Sequence, residues 1–337
     1  MGRVTLQDVA DLAGVSMKTV SNVVNDYPHI SPRMRERVRT AIDELGYRPN
    51  RSGRSLATGR SSMIGLAFPD LRRPYFAELA HAFARVAKAR GYGMLLIETG
   101  GTADGERAVL HDREAGFVDG LIIHPQALTA ADLDGMRGDA SVVFLGEDPQ
   151  PAGSDQVAVD NVAAARAAVA HLVALGRRRI GFLGHERGTM SRTSALRLEG
   201  YGDGLAEAGL AVDDGLLVAR DGGDALGAER ALSEALDRGM VVDALLCRED
   251  LAAIGALRAL RRHGLSVPDD VAVVGWDAIE LGASVMPSLT SVAPDTTELV
   301  ERTLDLLLQR VTGDERPGRH VTVAHGLVVR ESAPAPS

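Results

Sequence analysis

From residue 61 onward the chain alternates short apolar runs with helical patterns, and this alternation restricts the fold more than any other feature. MIGLAF, GMLLIE, DGLIIH and SVVFLG are the first four runs, and the amphipathic segment AELAHAFARVAKARGY stands among them. Strand and helix in turn are the rhythm of βαβ units, which implies a parallel sheet with right-handed crossovers. RIGFLG, GLLVA, DALLC and VAVVGW repeat it, with helices expected around residues 161–175, 193–208 and 250–263. Two similar lobes follow, about residues 61–160 plus 292–322 and 161–291 plus 323–337. PSLTSVAPD near residue 290 and VTVAHGLVV near residue 325 are expected to carry the chain back between them, leaving a hinged cleft. Ligands bind in such clefts, near the carboxyl ends of strands.

Other classes are narrowed by simple limits. A chain of 337 residues, 45% hydrophobic, can bury a sizeable core. No apolar run approaches the roughly 20 residues that span a bilayer, and the N-terminus lacks the apolar stretch of a secretory signal. A cytoplasmic location without membrane partners is therefore expected. Cys247 is the single cysteine, so no internal disulfide forms. Charge is uneven: residues 1–60 hold ten Lys or Arg against six Asp or Glu, net +4, and the remainder 27 against 40, net −13. A basic head suits a polyanion, while an acidic body is repelled by DNA and has another task.

The head reads as three helices. Thr5 and Asp8 make a capping box ahead of LQDVADLAG, with Leu6, Val9, Ala10 and Ala13 at helical spacing. Gly14 suits a tight turn, and Ser16 caps a second helix whose Val20, Val23 and Val24 face inward. Small residues at the turn let the two helices cross closely, as in a helix-turn-helix. Opposite the valines, Met17, Lys18, Ser21 and Asn22 face outward, as in a recognition helix entering a major groove. Ser31-Pro32 opens a third helix, with Met34, Val38, Ala41, Ile42 and Leu45 on its buried stripe and arginines suited to phosphates. RPNRSGRSLATGR, basic and poor in apolar residues, is a link that orders on binding.

VSMKTVSNVVN, ELGYRPN and RSLATGR together resemble the DNA-binding head of the LacI/GalR family of bacterial transcription repressors. The resemblance implies residues 1–49 as a helix-turn-helix domain, 50–60 as a hinge that becomes helical on DNA, and 61–337 as an effector-binding and dimerisation domain. It implies a homodimer on double-stranded, pseudo-palindromic operator DNA. Contacts would come from Ser16, Met17, Lys18, Thr19, Ser21 and Asn22, with Leu56 as the apolar wedge at the centre. Gly53 departs from the family's usual alanine and predicts a hinge helix unusually dependent on DNA.

The body resembles periplasmic sugar-binding proteins, as that family's effector domains do. VDNVAAARAAVAHLVALGRRRIGFLG, SALRLEGY, VPDDVAVVGWD, PSLTSV and LVVRES carry the likeness in the right order. The architecture implied is an all-α head plus a two-lobed α/β periplasmic-binding-protein-like body with parallel sheets. FPDLRRPYF resembles the family segment that puts Arg73, Tyr75 and Phe76 at the cleft, and Arg197 and Asp277 stand at positions that commonly hold ligand groups. A guanidinium fork, a two-oxygen acceptor and the flat faces of Tyr75, Phe76 and Trp276 suit a sugar ring. Each charged residue alone also suits a structural ion pair. Arg73 and Glu249 replace the family's usual asparagines, and they either pair across the cleft or meet a ligand unlike a neutral hexose. A purine, a phosphorylated sugar or another charged metabolite, acting as inducer or corepressor, is the alternative effector class. The chain has no phosphate-loop, dinucleotide-binding, H-E-x-x-H or paired-cysteine motif, so neither an enzyme nor a cofactor or metal is expected.

Overall fold

The computed structural model describes residues 4–24, 27–47, 60–112, 116–129, 132, 141–147, 153–188 and 190–336. It divides into two compact units, residues 1–61 and 62–337. The expected hinge at 50–60, with Gly53 and Leu56, lies almost wholly outside the described residues.

The first unit has α1 (Leu6–Ala13), α2 (Met17–Val24) and α3 (Pro32–Leu45). The capping box forms: Thr5 N donates to Asp8 Oδ2 at 2.7 Å, and Asp8 N to Thr5 Oγ1 at 3.3 Å. Such a cap contributes about 1 kcal/mol. Gly14 ends α1 at φ 60°, the left-handed conformation that favours glycine. Ser16 Oγ then accepts from Thr19 N at 3.2 Å and starts α2. Val9, Ala10, Val20, Val23 and Val38 close the small core, capped by Tyr47. Two α3 arginines, expected from the sequence to suit phosphates, also have partners inside this unit. Arg35 donates to the Tyr27 carbonyl at 2.9 Å and Arg37 to the Gly14 carbonyl at 3.3 Å.

The second unit has two six-stranded sheets. The first holds β1 (Met63–Phe68), β2 (Gly93–Glu98), β3 (Gly120–Ile123), β4 (Val142–Leu145), β5 (Asp155–Val159) and late β11 (His320–Val323), in the order β11-β5-β4-β3-β1-β2. Every pairing in it is parallel. Helices α4 (Pro74–Ala89) and α11 (Thr296–Val311) cover one face, and α5 (Ala103–Asp112) lends Val109 and Leu110 to a cluster on the other.

The second sheet holds β6 (Ile180–Glu186), β7 (Leu217–Arg220), β8 (Ala244–Cys247), β9 (Ala272–Trp276), β10 (Thr290–Pro294) and β12 (His325–Val328), in the order β12-β10-β9-β8-β6-β7. The helices α6 (Asn161–Ala174) and α7 (Arg192–Glu207) pack together, as do α8 (Ala225–Asp237) and α9 (Asp250–Arg262). A short α10 (Glu280–Ser284) stands between β9 and β10. The α6–α7 contact is close because glycine sits in it: a Cβ on Gly200 would come within 2.2 Å of the Val162 carbonyl oxygen.

Two details differ from the sequence expectation. β10 pairs with β9, so the chain leaves the second sheet after Pro294, not at 292. β12 runs antiparallel to β10, because a single residue, Ala324, separates it from β11 and the chain reaches the other sheet without a helix to turn it round. Among the described residues three crossings join the lobes, and Asp295 N donates to Ala324 O at 2.8 Å, tying two of them together. No described helix is long and apolar enough to cross a membrane.

Candidate functional site: an interlobe cleft and a recognition helix

On α2 and at its start, Ser16, Met17 and Lys18 are exposed, and Thr19, Ser21 and Asn22 are half-buried. Met17 is 50% exposed, an open position for a large apolar side chain. Ser16 and Thr19 also serve the cap, their hydroxyls lying 3.0 Å apart. Leu56 falls outside the described residues.

In the body, the chemistry gathers at the carboxyl ends of the strands, as the βαβ rhythm requires. Arg73 precedes α4 after β1, and Pro74 fixes the helix start so that Tyr75 and Phe76 occupy its first turn. Arg248 and Glu249 fall between β8 and α9, and Asp277 follows β9. Arg197 rises from the second turn of α7. Arg73, Tyr75, Phe76, Arg197, Glu249 and Asp277 line one cavity between the lobes.

Trp276, expected at the cleft, lies in the core instead. It ends a central strand and is wholly buried in the core of the second lobe, so it is no wall of the cavity. Its ring instead carries Arg197, whose guanidinium carbon lies 4.0 Å from the ring centroid. Arg197 is fixed further by Nε donating to Asn161 Oδ1 at 2.8 Å and by a bond to the Arg248 carbonyl. Its remaining amino group faces Asp277 Oδ1 at 4.0 Å. Asp277 adopts φ 101° and Ala278 φ 52°, strained values for residues other than glycine. The strain is held by Asp277 N donating to Val292 O at 2.9 Å and Ala278 N to Ser291 Oγ at 3.0 Å.

Arg73 and Glu249 do meet across the lobes. Arg73 Nη2 lies 3.1 Å from Glu249 Oε2 and 3.3 Å from Oε1. Two arginines that the sequence did not single out clasp the same carboxylate: Arg248 Nη1 at 2.6 Å from Oε2, and Arg220 on Oε1. Burial pushes the Arg248 guanidinium down to about 9 and that of Arg220 down to about 10. Beneath them Asp250 accepts from Ser291 Oγ at 2.6 Å and from Ile279 N at 2.8 Å. Burial, with Asp277 nearby, pushes Asp250 up to about 7, and burial pushes Asp277 up to about 6 against the pull of Arg197.

A second bridge closes the far side. Glu147, just beyond β4, accepts from Thr193 Oγ1 at 3.0 Å and from Asn161 Nδ2 at 2.5 Å, both in the other lobe. Glu280 N adds a bond to Glu78 Oε1 at 3.0 Å. His124, at the exit of β3, lines the cavity with its Nδ1 buried and unpartnered. Its sequence signal was the polar residue closing DGLIIH, and Glu147 gave the same signal after SVVFLG.

Comparison with known proteins decides the family. Residues 5–50 match the family model of bacterial regulatory proteins, lacI family, and residues 169–333 that of a periplasmic binding protein-like domain. The HTH-type transcriptional regulator CelR of Thermobifida fusca is 35% identical over 98% of both chains. The chain belongs to the LacI family of transcriptional regulators. The HTH-type transcriptional regulator GalR of Escherichia coli is 31% identical, covering 99% of this chain and 96% of that one. Among solved structures, a lac repressor dimer bound to operator and the anti-inducer ONPF aligns with TM-score 0.86 at 30% identity, over 99% of this chain and 100% of that one. A CelR–cellobiose complex aligns with TM-score 0.71 at 32% identity, over 98% and 100%.

Proposed function

We propose that this LacI-family regulator is a repressor. As a homodimer it binds a pseudo-palindromic operator through Ser16, Met17, Lys18, Thr19, Ser21, Asn22 and Leu56, under the control of a sugar held between the lobes. The observation that carries the effector class is the pairing of Arg197 and Asp277, a donor fork and an acceptor, beside Tyr75 and Phe76. A sugar offers hydroxyls at its edge and apolar faces to such a site. Relatives support the reading in their own right, one as an operator-bound dimer and one as a cellobiose complex.

A charged metabolite is the second reading, favoured by the arginines around the cavity. Arg73, Arg197, Arg220 and Arg248 each already have a carboxylate or carbonyl partner, which keeps the sugar first. Control is a coupling between two sites: the effector shifts the lobes and thereby the affinity for DNA. The test is a thermal-melt screen against sugars, sugar phosphates and purines. A ligand at 100 times its dissociation constant adds about 2.7 kcal/mol, a shift of several degrees. A hit among neutral sugars supports the reading, and hits confined to charged compounds overturn it in favour of the second.

A further inference from the structure

The lobes stand too close together to admit an effector to the innermost part of the cleft. The cavity lined by Tyr75, Phe76, Arg197 and Asp277 holds about 60 Å³, room for a few waters, where ligand sites hold about 300 Å³ or more. A neighbouring cavity beside Glu147 adds about 50 Å³. The larger space in the cleft, about 410 Å³, lies on the other side of Arg73, which lines both this cavity and the inner one, whereas Glu249 lines the inner one alone. The Arg73–Glu249 pair thus shuts the inner cavity off. A ligand reaches Arg197 and Asp277 only after the lobes part.

This bridge between the lobes is made of opposite charges. Glu147, by contrast, accepts from uncharged Thr193 and Asn161, and Glu78 accepts from the Glu280 peptide. A charge-assisted pair is the stronger kind of bond, and here it is also placed so that it can let go. Glu249 is 8% exposed and keeps Arg220 and Arg248, both of its own lobe, when Arg73 leaves, so no buried carboxylate is stranded by opening. Arg73 is 22% exposed and regains water as the lobes part. Its guanidinium is seated in the opposite lobe against Gly223, where a Cβ would stand 2.6 Å from Nη2. Closing therefore needs a glycine at that seat, and opening leaves neither charge buried alone.

We propose that Arg73 and Glu249 form an internal latch that keeps the effector-free protein closed and so sets the effector concentration at which the regulator responds. This rests on the reading above that the effector acts between the lobes, and it holds whatever the effector's class. A ligand that binds only the open form shows an apparent affinity lowered by the fraction of molecules that are open. Weakening the latch raises that fraction without touching Arg197 or Asp277.

The test is a distance measurement between spin labels at Thr102→Cys and Arg192→Cys in effector-free, full-length protein, mixed with excess unlabelled chain so that any oligomer carries one labelled protomer. Thr102 and Arg192 are exposed, belong to opposite lobes, and adjoin Gly101 and Thr193, which line the cleft. Cys247 is buried, out of reach of the label. One short separation is expected for the parent. Arg73→Ala is expected to raise the population at longer separation at least threefold. Gly223→Ala, which keeps both charges and leaves α4 untouched, is expected to act in the same direction by unseating the guanidinium. Equal populations in the parent and both variants overturn the latch, and so does a parent that is already mostly open; either result leaves the proposed effector control standing.

Discussion

The Arg73 guanidinium and the Glu249 carboxylate stand 3.1 Å apart although 176 residues separate them in the chain, and they join the two lobes. The two ends of this pair are not equivalent. Replacing Glu249 by Ala leaves Arg220, 2% exposed, without its carboxylate and beside Arg248, 9% exposed, which keeps Glu186 at 3.2 Å. Breaking a buried pair this way costs about 3–5 kcal/mol. Replacing Arg73 by Ala leaves the carboxylate with two partners, and the half-solvated position makes the cost about 1 kcal/mol. Thermal unfolding is expected to fall on the order of 10 °C for the first variant and a few degrees for the second. Equal losses contradict the clasp.

Gly223→Ala tests the same contact without altering a charge. The added Cβ meets the far end of a flexible side chain, so Arg73 swings away and the fold keeps its stability to within about 1 kcal/mol. A double-mutant cycle on thermal unfolding is expected to show that Arg73→Ala costs less in the Gly223→Ala background than alone. Strict additivity sinks the idea that Gly223 seats the guanidinium.

The pH dependence follows from Asp250 and Asp277, pushed up to about 7 and about 6 by burial. A carboxyl whose folded value lies above its unfolded one holds a proton in the folded state that the unfolded chain has released. Its contribution to stability is therefore lost as pH rises from about 4 to about 7. Half-buried His124 and His185 are pushed down by desolvation and act in the opposite sense, so the difference between variants is the useful quantity. Asp250→Asn is expected to gain in melting temperature relative to the parent as pH goes from 5 to 7, and to level off above 7. A constant difference across that range contradicts the raised value.

In the head, Leu56→Ala is expected to lower affinity for a selected operator far more than for random duplex, because a wedge works only where the site can kink. Asn22→Ala is expected to change base preference, since Asn22 lies on the outer side of α2 from buried Val20 and Val23. Competitive binding at fixed salt measures both. Equal loss on the two kinds of DNA counts against the wedge.

Sequence could place the residues whose reasons are local. Thr5, Gly14 and Ser31-Pro32 announce the head helices because caps and turns act within three or four residues. Strand runs such as MIGLAF were legible because buried parallel strands are continuously apolar. The clasp around Glu249 was only half legible. Arg73 and Glu249 stood out as departures from a familiar pattern, whereas Arg220 looks like any residue after a strand until β7 lies beside β6. Trp276 misled for a related reason: it sits next to Asp277, and only the sheet order shows that β9 is central and its last side chain turns into the core. The antiparallel β12 was illegible too, since its direction depends on which sheet the chain enters after Ala324.

The proposed control couples DNA affinity to sugar occupancy in one protein. It is tested most directly by fluorescence anisotropy at fixed salt, on a duplex the full-length protein has selected from a random pool, with and without the sugar that raises its melting temperature. A tight, sequence-selective complex is expected, whose affinity changes at least tenfold when the sugar is present, in either direction. A protein with no sequence preference, or one whose affinity for the selected duplex is unmoved by the bound sugar, contradicts it.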